Sequence, residues 1–119
     1  MLSSEQAEAF LRAFEPEVEL ELLRTLAAAR ALAVANYESL KESKKAVLAA
    51  AAAASGETSA AAQQLAAERS VAFQEWLSGW REAVFERERR ILAYSNQEAK
   101  IEVWRTLMAS QRAEAQLQH

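Results

Sequence analysis

Large apolar side chains recur through the second half of the chain at Leu65, Phe73, Trp76, Leu77, Trp80, Val84, Ile91, Tyr94, Ile101, Trp104 and Met108. The steps are mostly three, four and seven residues, the repeat of one face of an α-helix; a half-buried strand would alternate by two. No Pro and one Gly, Gly79, interrupt the run. The pattern predicts a helix over about 59–116, with a possible break at 95–97, where Ser95 and Glu98 have capping-box spacing. Ile91, Tyr94, Ile101 and Met108 stay in phase across that point, which favours continuity.

Ahead of this run the pattern predicts two further helices. Ser3 with Gln6 fits a capping box, starting a helix over about 4–14 that shows Phe10, Leu11 and Phe14 on one face. Glu15-Pro16 ends it, because Pro disfavours helical geometry in the residue before it yet suits the first turn of a new helix. A second helix is expected over about 16–54, with a stripe of Leu22, Leu23, Leu26, Ala29, Ala33, Val34, Tyr37, Leu40, Val47 and Leu48. Its outer face carries Arg24, Arg30, Glu38, Lys41, Glu42 and Lys45.

The segment 55–58, Ser-Gly-Glu-Thr, is the clearest turn. Gly56 stands where a helix needs a left-handed residue to finish, and Thr58 or Ser59 can cap the next helix. Alanines flank the turn on both sides, so two helix backbones can approach closely as an antiparallel hairpin. Folding about the middle of that turn sets Leu40 against Phe73, Tyr37 against Trp76, Ala33 against Trp80 and Leu22 against Ile91. The same register brings Glu17, Glu19 and Glu21 near Arg89 and Arg90. The expected core is Leu22, Leu26, Ala33, Tyr37, Leu40, Phe73, Trp76, Trp80, Val84, Ile91, Ile101 and Trp104.

A second apolar row lies a third to half a turn from the main stripe: Val71, Phe85, Leu92, Ala99, Val103 and Leu107. One hairpin partner covers only one face. The N-terminal helix, with Phe10 and Phe14 level with Ala99 to Val103, reaches only one end of the row. The row is therefore read as an interface, most simply between two copies in an antiparallel four-helix arrangement.

Composition fits this picture. All 17 acidic residues are Glu, and with two Gly and one Pro the chain is rich in helix formers and poor in turn formers. A net charge of −3 argues against a dedicated nucleic-acid binder or a polybasic membrane anchor. The longest apolar run, nine residues from Ala46 to Ala54, is too short to span a bilayer, and the N-terminus lacks the pattern of a signal peptide. A cytoplasmic protein is expected.

Catalytic chemistry finds little support. There is no Cys, and the one His is His119, so Ser39, Ser70 and Ser78 have no base to activate them. No Glu-x-x-His pair or calcium loop suggests a metal, and Gly56 and Gly79 are too far apart for a phosphate loop. No cofactor is implied. Arg81, Arg87, Arg89, Arg90, Arg105 and Arg112, with Trp76, Trp80 and Trp104, suggest a rival reading as a single-stranded nucleic-acid binder. Interleaved Glu82, Glu86, Glu88 and Glu102 look instead like the ion-paired face of a solvated helix. An amphipathic surface coat is a third reading, although its polar face is usually Lys-rich. The chain is read as an all-α helical hairpin with a short N-terminal helix, a non-catalytic, self-associating interaction module, adaptor or chaperone-like protein with a protein partner.

Overall fold

A computed structural model describes residues 2–118. Every regular element among them is an α-helix: α1 (Ser4–Ala13), α2 (Pro16–Ala54), α3 (Ala60–Arg69) and α4 (Val71–Leu117). The local signals act where they stand in the sequence. Ser3 Oγ accepts the Gln6 N–H (3.2 Å) and the Gln6 side chain accepts the Ser3 N–H (2.8 Å), closing the capping box of α1. Phe14 leaves the helix in extended geometry just before Glu15-Pro16, and α2 opens on Pro16 with Glu17 and Glu19 at the positive end of its dipole.

At the far end of α2, Gly56 adopts φ +76°, the left-handed turn that a side chain would oppose. Ser55 caps from one side, donating from Oγ to the Ala52 carbonyl (2.7 Å), and Ser59 from the other, accepting the Ala62 N–H (3.1 Å). The returning helix is not continuous over 59–116. It breaks at Ser70, whose backbone is extended (φ −67°, ψ 151°). Ser70 Oγ donates to the Ala67 carbonyl and accepts the Phe73 N–H, so one hydroxyl ends α3 and starts α4. No break occurs at 95–97, where α4 runs through.

Tertiary contacts gather into two units, Arg30–Arg90 and Met1–Ala29 with Ile91–His119. In the first, four aromatic rings form a ladder: Phe73 on Trp76 (5.5 Å between centroids), Trp76 on Trp80 (5.6 Å) and Trp80 on Tyr37 (4.8 Å). The Trp76 indole N–H donates to the Leu40 carbonyl (3.0 Å) and to Ser43 Oγ (3.1 Å). Tyr37 therefore meets Trp80, and Leu40 meets Trp76, about one helical turn further along α4 than the expected register. The returning helix starts only at Ala60, after a turn that includes Ser59, which moves the register in this direction. Ala67 and Ala83 are sealed, while Ala33, Tyr37, Leu40, Phe73, Trp80 and Val84 are half-buried. Arg30, expected on the outer face, is half-buried too.

In the other unit Phe14 is buried, stacked on Trp104 at 4.9 Å and 9°, with Phe10 5.6 Å behind it. Phe14 thus covers the main stripe of α4 and not the second row. Ile101 is buried, and Leu26, Ile91 and Trp104 are half-buried. Leu22, expected in the core, is 42% exposed, and Leu23 is half-buried in its place. Each residue turns α2 by about 100°, so buried Glu19 with half-buried Leu23, Leu26, Ala27 and Arg30 centres the inward face close to Leu23 and leaves Leu22 roughly 80–90° to one side.

Candidate functional site

Most of the second row of α4 is exposed, with Leu107 half-buried. In the unit Arg30–Arg90, Val71 is 75% and Phe85 65% exposed. Phe85 lies two residues past sealed Ala83, roughly 200° around the helix from it, so it points away from the packed seam. In the other unit Leu92 is 61% and Val103 38% exposed, Ala99 is exposed, and Leu107 is half-buried. There Ala99, Val103 and Leu107, with Glu102 and Thr106, line a shallow, mostly apolar groove. All six row residues stand on α4, one unbroken helix.

Four of the six arginines considered for nucleic acid pair with Glu, and the three tryptophans stack on aromatic rings. Glu86 accepts from Arg89 (2.8 Å) and Arg90 (3.3 Å), Arg87 pairs with Glu88 (2.6 Å), and Arg105 with Glu102 (3.5 Å). The hydrogen bond from Arg89, then the charge of the same residue and of Arg90, hold the Glu86 carboxyl below its ordinary value against some desolvation. Trp76 has Phe73 on one side and Trp80 on the other, and Trp104 has Phe14. The Arg87 guanidinium lies 4.8 Å over the Tyr37 ring, with its Nε buried and unpartnered. A cation held on a ring face keeps part of its attraction without water.

Sequence reasoning misses two features. Glu19 is buried, and both its oxygens accept from Lys100 Nζ (2.7 and 2.9 Å). Gln97, itself buried, donates from Nε2 to the Glu19 carbonyl (3.0 Å) and carboxylate (3.3 Å). The Lys100 hydrogen bond is the main cause that keeps the Glu19 carboxyl below its ordinary value, opposed by burial and helped by Gln97. The sequence register sets Glu19 near Arg89 and Arg90, but these chelate Glu86 of their own helix. The cluster ties α2 to α4 through Gln97 and Lys100.

The second missed feature is a groove of about 360 Å³ beside the aromatic ladder, in the unit Arg30–Arg90. Tyr37, Phe73, Leu77 and Trp80 wall it, and Lys41 and Lys44 line it from α2. Lys44 Nζ stands 5.9 Å from the centre of the Trp76 ring. The signal is present in the sequence: three of the four lysines fall within 41–45, on the helix opposite the aromatic stripe.

No protein-family model, curated protein or solved structure matches this chain. Among the described residues no three His, Cys, Asp or Glu side chains are grouped as for a metal ion, and no helix is long and apolar enough to cross a membrane.

Proposed function

We propose that the protein is a non-catalytic helical interaction module that self-associates through the second row of α4. The exposure of Phe85 (65%) and Leu92 (61%), on helix faces turned from their own packing partners, carries this reading. Scattered apolar residues on a surface need no explanation, whereas a row along one helix is the usual mark of an interface. A second α4 laid antiparallel along the first covers the same row on both copies, as a two-fold contact requires. Two hairpins joined this way make a four-helix arrangement with further faces left to engage other proteins.

The test is the mass in solution. Light scattering at protein concentrations on the order of 10 µM or above should return twice the chain mass of 13.2 kDa. Phe85→Glu or Leu92→Glu should return the single-chain mass with helix content retained. A wild-type monomer under these conditions overturns the reading.

A further inference from the structure

The groove beside the aromatic ladder lies off the self-association row, and it has a chemistry of its own. We propose that it docks an amphipathic α-helix from another protein, one that presents an apolar ridge flanked by carboxylates. Three observations carry this choice of occupant.

The first is what the rings offer. Phe73, Trp76, Trp80 and Tyr37 pack on one another at centroid separations of 4.8–5.6 Å, and Lys44 and Arg87 lie over the Trp76 and Tyr37 rings. A nucleobase needs a free ring face to stack on. The groove is walled by these packed rings and Leu77, a ridged apolar surface into which the side chains of a helix interdigitate. The second observation is the openness of the groove, which lies between two antiparallel helices with one side facing solvent. A helix brings its own backbone and outer face as the missing wall.

The third is charge. Lys41 and Lys44 lie one helical turn apart along the groove. Among the described residues neither ammonium is within ion-pairing distance of a carboxylate, whereas Arg24, Arg89, Arg90 and Arg105 all pair with Glu. Two unneutralised cations a turn apart match two carboxylates a turn apart on an incoming helix. In a chain of net charge −3 such a spot selects its partner by sign.

The experiment titrates the full chain into a fluorescein-labelled peptide of about 18 residues, long enough to form a helix on docking. The peptide carries Leu along one face and Glu on both flanks, and a control peptide carries Lys at every Glu. Anisotropy and tryptophan emission are read together. The acidic peptide should bind with a Kd on the order of 10–100 µM, and the Lys peptide at least about tenfold more weakly. In Lys41→Glu/Lys44→Glu, with helix content checked by circular dichroism, the preference should reverse. Leu77→Glu should weaken both peptides. Phe85→Glu should leave peptide binding unchanged even where it abolishes self-association, so the two proposals fail separately. Equal binding of the two peptides, no binding up to about 1 mM, or an unaltered preference in the double lysine variant overturns the proposal. So does a tryptophan response to dodecanoate or oligo-dT in place of the acidic peptide, which reassigns the groove to that ligand.

Discussion

Removing Glu19 and removing Lys100 break the same ion pair, but the two changes leave different things behind. The Glu19 side chain is 9% exposed and the Lys100 side chain 45%. Glu19→Gln leaves a lysine that water can solvate, so the expected cost is about 1–2 kcal/mol. Lys100→Met leaves the buried carboxylate with Gln97 as its remaining side-chain donor and should cost more than Glu19→Gln. Urea denaturation of the two variants checks the order. The pH dependence stems from the same contact. Because the folded carboxyl sits below its ordinary value of 4.5, the unfolded chain takes up the proton first as pH falls. The stabilisation is complete above that value and is lost as pH drops through the folded one. The urea midpoint should therefore fall more steeply between about pH 6 and about pH 3 in the wild type than in Glu19→Gln. Glu86 shifts in the same direction, but its side chain is 36% exposed and contributes little. None of this is legible in the sequence. Glu17, Glu19 and Glu21 are alike there; the rotation of α2 decides which of them turns inward, and the register decides which cation it meets.

The helices themselves are largely legible, because their signals are local. The Ser3–Gln6 box, the stop before Pro16 and the left-handed Gly56 each act within a few residues. The break at Ser70 is not, since one Ser among strong helix formers carries little weight until its hydroxyl is seen capping both sides. Register escapes for a geometric reason. A shift of three or four residues carries a helical stripe onto itself, so the apolar pattern fits both alignments. The two glycines give opposite predictions. A methyl group added at either would meet nothing within 4 Å, so only the backbone matters. Gly56→Ala forces a side chain into φ +76° and should cost about 1 kcal/mol, whereas Gly79→Ala, inside α4, should gain roughly 0.5–1 kcal/mol. Ser70→Ala should cost about 1 kcal/mol through its lost cap. Thermal melts of the three variants read these directions.

For the molecule as a whole, the second row of α4 is legible as a pattern, whereas the groove shows in the sequence only as a lysine cluster on the helix opposite an aromatic stripe. A row of apolar residues out of phase with a core stripe is visible in one dimension. A groove needs two helices in their actual register, because Lys41 and Lys44 gain meaning only beside Leu77 and Trp80. The two surfaces also predict different responses to salt. Association through Phe85 and Leu92 buries hydrocarbon and should persist at about 1 M NaCl, whereas attraction to Lys41 and Lys44 should weaken under the same screening. Sedimentation and peptide anisotropy across a salt series distinguish the two.

Among the described residues, none of the large side chains is wholly sealed from water. A chain that encloses so little by itself has a thin margin against unfolding, and any surface hidden by a second copy widens it. Heat resistance then becomes a property of the solution and not of the chain alone. Dilution should lower the melting temperature of the wild type and leave that of Phe85→Glu unmoved.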